Sequence, residues 1–537
     1  MMRWLAALGL RRYDALILVA ALASTALYVA AAGGEGFPLD DGWIHQVYAR
    51  NLAERGEWAF TPGAPSAGST APLWTALLAV GHGLGVPYRL WALALGALCL
   101  ALTGMLGARI AERLFPGVRH VGPLAGLGVA LEWHLIWAAA SGMETALFVA
   151  LGMGVMALTS PSSRRAAHRR DTLSPLHGEG MGGEVASEVR EDESTRTTGG
   201  ATAARGLALG VVSAALTATR PEGVLLVGLA GLLGLAHGGR RALAWGGGVA
   251  AGWLIGVAPV ALLNLSLSGT VLPNTSAAKQ AEYSALLSAP YLKRLLDVCT
   301  PLTAGVALPL LPGAVWAVAA RVRALRRNRG ALAGLLPLVW ALALVMLYAA
   351  RLPVTYQHGR YVIPALPPLI VVGVGGTLLL LRAGRRRLPG RVLRRALALA
   401  AVGILLMFWV IGLRAYDTDV SIIQTEMVAA ARYLAEAIPP EDLLAVHDIG
   451  AVGYFAPRPI LDLAGLVSPE VIPIIRDEPA LLALMEARGA AYLMTFPGWY
   501  PEIVADPRVA PVYRTSGTAP AAGGENMAIY RLDWGSP

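Results

Sequence analysis

Charge is scarce in this sequence. Asp, Glu, Lys and Arg together make up 15% of its 537 residues, against about 25% in a typical soluble protein. Hydrophobic residues make up 55% and mean hydropathy is +0.55, more apolar surface than one or two globular cores could bury. A soluble enzyme and a disordered chain are thereby excluded. Cysteine is scarcer still, and Cys99 and Cys299 alone cannot make a disulfide framework. Acidic residues are outnumbered, giving a net charge of +9. That surplus suggests a nucleic-acid surface until its distribution is read, and then it becomes a topology signal.

What is present is a series of apolar runs long enough to cross a bilayer, which takes about 20 residues. They fall near 14–33, 88–108, 121–139, 144–160, 205–220, 223–237, 242–264, 300–320, 331–350, 361–381 and 393–413, predicting a polytopic α-helical membrane protein of about eleven spans. A further run, 71–86, is short and holds Pro72 and His82. Treating it as an interfacial helix in an outer loop, 34–87, puts 27 of the 44 Lys and Arg residues in segments on the N-terminal side of the membrane. By the positive-inside rule that side is cytoplasmic. Counting 71–86 as a span would instead translocate the basic runs 321–329 and 382–395. The expected placement is a cell (inner) membrane, N-terminus cytoplasmic and C-terminal domain outside. No convincing cleavage site follows the first span, which reads as a retained helix.

Residues 161–204 lack aliphatic periodicity and read as a disordered cytoplasmic linker. Gly178, Gly180 and Gly183 have dinucleotide-loop spacing there, but no strand precedes them and no helix follows, so that motif fails its own context. The membrane domain is expected over 1–413. From 414 to 537 the composition becomes that of a soluble α/β domain, with strands at 443–448 and 490–496, a helix through 480–487 and a late strand pair.

The residues that could carry chemistry gather at predicted outer ends of spans. Asp40 and Asp41 follow the first span and could cap a short helix ended by Gly56. Trp43 and His45 follow them, and the interfacial helix presents Trp74, Leu77 and Leu78 for headgroup depth. Glu144 lies in SGMET, Arg220 and Glu222 in TRPEG, Asn274 and Lys279 in LPNTSAAK, and Arg351, His358, Arg360 and Tyr361 in RLPVTYQHGRY. Taken singly, each suits interfacial snorkelling; taken together, they predict one polar cavity. Carboxylates with Arg, Lys and His suit transfer from a lipid-linked phosphate. The leaving phosphate needs cations rather than an acid, and the acceptor hydroxyl needs a carboxylate base.

At these residues the chain resembles the GT-C superfamily of membrane glycosyltransferases. The resemblance rests on DDGWIHQVYARNL, TAPLWTALLA, SGMET, TRPEG, LPNTSAAK and HGRYVIPALP, and covers roughly 14–413, with weaker similarity in the tail at HDIGAVGYF and ILDLAGLV. Among bacterial branches it is similar to aminoarabinose transferases, protein mannosyltransferases and, most closely, arabinofuranosyltransferase-like proteins. The resemblance implies an inverting glycosyltransferase that moves a sugar from a polyprenyl-phosphate donor to a glycan, lipid or protein acceptor on the outer face. It implies Asp40 as catalytic base, with Asp41 beside it orienting the acceptor or a metal, and Glu144 as second acidic residue. Lys279, Arg360, His358 and Arg220 would hold the donor phosphate. Trp43, His45, Trp74, Asn274 and Tyr361 would line the substrate pocket. Some members need a divalent cation such as Mg2+, Mn2+ or Ca2+, for which Asp40, Asp41 and Glu144 would be ligands. The bilayer is the expected partner, and nucleic acid is not.

Two other classes are open to this sequence. A transporter or flippase of a lipid-linked substrate should place charges near the midplane and show related halves, whereas these charges sit at span ends and no repeat is evident. A binding role for the soluble domain beside an inactive membrane part is opposed only by the intact acidic pair.

Overall fold

The structure, a computed structural model, describes residues 11–33, 35–159, 185–234, 239–325, 332, 334–383 and 388–535. Among them seven helices are long and apolar enough to cross a membrane, or eight if one bent pair is a single span, and three shorter apolar helices lie beside them. These elements coincide one for one with the eleven apolar runs of the sequence. The chain is a multi-pass membrane protein with a small mixed α/β domain at its C-terminus.

Small residues let the spans approach closely. Helices Val185–Thr219 and Gly239–Ser268 cross at two glycine pairs, where a Cβ on Gly210 would lie 2.4 Å from the Val249 carbonyl and one on Gly252 2.4 Å from that of Leu207. In lipid, where burial does not drive helices together, such backbone contact supplies the packing. The bent span, Val121–Ala130 and Trp133–Ala140, turns by 52°. At the bend the buried Glu132 pairs with His134 Nδ1 at 2.8 Å and accepts the Val306 N–H at 3.2 Å.

The run at 71–86 becomes helix Pro72–Gly83, too short to span. Its faces are the reverse of the expected ones. Trp74 and Leu78 are buried against the protein, and Val80 and Leu84 are exposed. The indole of Trp74 donates to the Gly142 carbonyl at 2.9 Å, which holds it away from the headgroup depth expected of it. The expected linker 161–204 is also corrected in part: 161–184, with the three spaced glycines, lie outside the described residues, but helix Val185–Thr219 already runs through 185–204.

The last span does not stop at 414 either. Helix Leu388–Ile423 passes through a π-helical turn, Gln424–Val428, into helix Ala429–Ala437. Numbering strands from a short hairpin after the first span, β1 (Ala59–Thr61) and β2 (Ala64–Pro65), the C-terminal sheet contains β3 (Leu444–Val446), β4 (Ile460–Asp462), β5 (Tyr492–Thr495), β6 (Val509–Arg514) and β7 (Ala528–Leu532). Its order is β4-β3-β5-β7-β6, with β3 parallel to β4 and β5, and β7 antiparallel to both neighbours. One apolar core runs from Trp43, Tyr48 and Trp74 of the first loop to Leu444, Val452 and Met494 of this domain. The shared core seats the sheet on the end of the bundle where the first loop lies.

Candidate active site

Two consecutive carboxylates open helix Asp41–Arg55, and they point to different tasks. Asp40 makes no capping bond to its own helix. Its carboxylate instead accepts the backbone N–H groups of Gly450 at 2.6 Å and Ala451 at 2.7 Å, 410 residues away in the C-terminal domain. A Cβ on Gly450 would lie 2.1 Å from the Asp40 carbonyl oxygen, so only glycine fits at this junction. The other end of the helix follows expectation, with Gly56 left-handed at φ 70°.

Asp41 accepts a 2.7 Å hydrogen bond from Arg360 Nη2 and lies 3.4 Å from Lys279 Nζ. Burial would raise its pKa, but Lys279 and Arg360 outweigh burial and hold the carboxyl well below the usual range. Arg360 reaches it from an unusual turn. Gln357, His358 and Gly359 in succession have φ of 52°, 56° and 68°, a left-handed run that costs roughly 1–3 kcal/mol for each non-glycine residue. The run turns His358 away from Arg360 and onto Asp419, with Nε2 to Oδ2 at 2.7 Å, and against the rings of Trp133 and Trp137.

Glu144 lies 3.3 Å from His45 Nε2 and 3.7 Å from Arg220 Nε. Arg220 also pairs with Glu222 at 2.8 Å and donates to Tyr348 Oη at 3.1 Å, and that hydroxyl in turn contacts Glu222. His45 Nδ1 is 3.2 Å from Thr75 Oγ1. Nitrogen Nη1 of Arg220 and Nη1 of Arg360 are both buried without a hydrogen-bond partner. A guanidinium has five N–H donors and no acceptor, so these are donors waiting for an acceptor oxygen.

Two cavities meet here. The first, about 440 Å³, is lined by Asp41, His45, Glu144, Arg220, Lys279 and Arg360, with Tyr361 and Arg351, and has an apolar side at Val224, Leu272, Leu347 and Leu352. The second, about 530 Å³, lies toward the C-terminal domain and is lined by Glu282, Tyr283, Tyr356, His447, Asp448 and Trp499 among others. Asp41, Lys279 and Arg360 line both.

The arrangement revises several expected roles. Asp40 touches only the second cavity, and its carboxylate is spent on backbone donors. His358 lines neither cavity, because its strained turn directs it to Asp419. Trp43 packs in an aromatic cluster with Phe37, Tyr88, Tyr454 and Phe455, with centroids 4.7–5.5 Å away. Trp74 is held by Gly142, and Asn274 begins helix Asn274–Glu282 while its neighbours Thr275 and Ser276 face the first cavity. A shared divalent ion does not fit Asp40, Asp41 and Glu144: the first is bound to two N–H groups, the second is covered by two cations, and the third sits between His45 and Arg220. Among the described residues no three His, Cys, Asp or Glu side chains group as a metal site. Four residues of the second cavity, Asp40, Asp41, Lys279 and Arg360, were expected at the site, whereas Glu282, Tyr283, Tyr356 and Trp499 escaped sequence reading. Their one signal was His447 and Asp448 directly after an apolar strand, where polar side chains end up at a sheet's rim.

Comparison with known proteins gives the fold a family context. Residues 415–530 match a family described as a domain of unknown function, DUF8728. No curated protein matches the chain. Among solved structures, ArnT from Cupriavidus metallidurans bound to undecaprenyl phosphate is similar at 15% identity and TM-score 0.54, over 97% of both chains. The Archaeoglobus fulgidus oligosaccharyltransferase in complex with Zn and sulfate is similar at 11% identity and TM-score 0.55, over 95% of this chain and 72% of that one. The mycobacterial arabinofuranosyltransferase AftD matches 97% of this chain but 40% of its own, at 17% identity and TM-score 0.46. The fold is shared with ArnT and with the archaeal oligosaccharyltransferase.

Proposed function

We propose that this chain transfers a sugar from a polyprenyl-phosphate carrier to a hydroxyl acceptor, with inversion at the anomeric carbon. The observation that carries this reading is Asp41, held by Lys279 and Arg360 on the boundary of two cavities, one of which contains unpartnered guanidinium nitrogens. The donor phosphate occupies the first cavity, where Arg220, Lys279 and Arg360 meet its charge. Val224, Leu272 and Leu347 lead its prenyl chain toward lipid, like the undecaprenyl phosphate that ArnT holds. The acceptor hydroxyl enters from the second cavity. Its oxygen attacks the anomeric carbon, the carbon–oxygen bond to phosphate breaks with its electron pair leaving on the phosphate, and the hydroxyl proton passes to Asp41. Attack from one cavity and departure into the other requires inversion.

In the empty site Lys279 and Arg360 rest on Asp41 and make it a poor base. A phosphate takes both cations, so donor binding itself raises the basicity of Asp41. Glu144 holds Arg220 and His45 in place at the wall of the first cavity.

Undecaprenyl phosphate should therefore bind the purified protein in nanodiscs, and Arg360→Gln should weaken that binding at least tenfold by native mass spectrometry. Equal binding by wild type and variant would refute the donor site.

We also propose that the two cavities face the outside of the cell membrane, an orientation supported by the Lys and Arg asymmetry. In a chain with Cys99 and Cys299 replaced by serine, a cysteine at Gly83, where a Cβ meets nothing within 4 Å, should react with an impermeant maleimide in intact cells. One at the exposed Arg323 should react only after permeabilisation. The opposite pattern would invert the topology.

A further inference from the structure

The second cavity lies beyond the carboxyl ends of the parallel strands of the C-terminal sheet. Strands β3, β4 and β5 are parallel, and the residues that follow each of them line it: His447 and Asp448 after β3, Ala464 and Leu466 after β4, Trp499 and Tyr500 after β5. Strand β3 lies between β4 and β5, so the chain leaves it to one side and crosses to the other. In open sheets the crevice beyond the carboxyl ends of parallel strands, where the connections diverge, is where ligands bind.

The lining specifies the chemistry. Trp499 is 42% exposed, although its ring is steadied by Phe496 at 4.9 Å and by His447 at 4.8 Å. His447 is itself fixed, with Nδ1 2.7 Å from Tyr500 Oη and Nε2 3.5 Å from Glu282. From the membrane domain come Tyr283 and Tyr356, whose rings lie 5.4 Å apart. Aromatic faces of this kind pack against the C–H faces of a sugar ring while Glu282 and Asp448 accept its hydroxyls. The volume of about 530 Å³ is that of a small-molecule site. Cations are few: Lys279 and Arg360 are engaged by Asp41 in the empty site and by the donor phosphate in the loaded one, and Arg476 is 3.9 Å from Glu282 with a largely exposed side chain. A peptide joining this sheet would add along the free edges β4 or β6, whereas the cavity meets strand ends.

We propose that the C-terminal domain carries the acceptor subsite, and that the acceptor is a neutral glycan whose terminal ring sits on Trp499 beside Glu282 and Asp448. This rests on reading the first cavity as the donor site. Three probes distinguish the occupants of the second cavity in full-length protein in nanodiscs, observed by saturation-transfer NMR. They are a mixture of neutral tetrasaccharides (manno-, arabino- and galacto-), trigalacturonate, and a Ser/Thr-rich dodecapeptide. At least one neutral tetrasaccharide should bind, Trp499→Ala should weaken it at least tenfold and Trp499→Phe should restore part of the loss, with the melting temperature unchanged. Asp448→Asn should also weaken it without altering undecaprenyl phosphate binding. Binding unaffected by either substitution, no tetrasaccharide binding, or Trp499-dependent binding of the peptide or the uronate alone would overturn the proposal. Loss of undecaprenyl phosphate dependence on Arg360 would instead overturn the donor reading and is measured separately.

Discussion

Asp41→Asn should lower sugar transfer by about 10²–10⁴-fold, the usual contribution of a positioned general base. Undecaprenyl phosphate should meanwhile bind as well or better. The substitution removes the negative charge that occupies Lys279 and Arg360, and leaves both cations to the phosphate. A loss in kcat with an unchanged or lower donor KM is the signature of an interaction used in the transition state. Retained transfer would remove Asp41 as the base, and loss of donor binding would mean that Asp41 positions the cations. The adjacent carboxylate supplies the control. If Asp40→Asn abolished turnover while Asp41→Asn did not, the two roles would be exchanged.

Asp40→Ala should act on the junction between domains. It strips the acceptor from two buried N–H groups, those of Gly450 and Ala451. An orphaned buried N–H costs about 1–3 kcal/mol, so leaving both unpaired should cost roughly 3 kcal/mol and open the contact about a hundredfold more often. Hydrogen exchange at Gly450–Phe455 should accelerate by that factor, while exchange within β5 and β7 stays slow because their pairing is internal to the sheet. Unchanged exchange at Gly450 would mean that the shared aromatic core, not Asp40, seats the domain.

Much of the fold was legible because membranes impose simple rules. A span must be long and apolar, so the eleven runs could be read directly, and Pro72 with His82 marked the twelfth as too short. The polar residues at span ends could be grouped by parity alone, and Asp41, His45, Glu144, Arg220, Lys279, Arg360 and Tyr361 do meet at one cavity. Trp43 and Trp74 were misplaced for one shared reason: an aromatic beside a membrane suits an interface or a pocket equally by type, and here both are consumed in seating the first loop. His358 was displaced by a backbone turn that no propensity scale foresees, since three successive left-handed residues are stable only where tertiary contacts over-determine them.

By itself the sequence determined that this is a multi-pass helical membrane protein and where its apolar helices fall, because hydropathy acts residue by residue. It could not decide between Asp40 and Asp41. Consecutive residues on a helix point about 100° apart, and what stands in front of each is set by chain hundreds of residues away. Gly450 and Ala451 take up one carboxylate and Lys279 and Arg360 hold the other at the meeting of two cavities, a division that exists only once the C-terminal sheet is docked on the bundle.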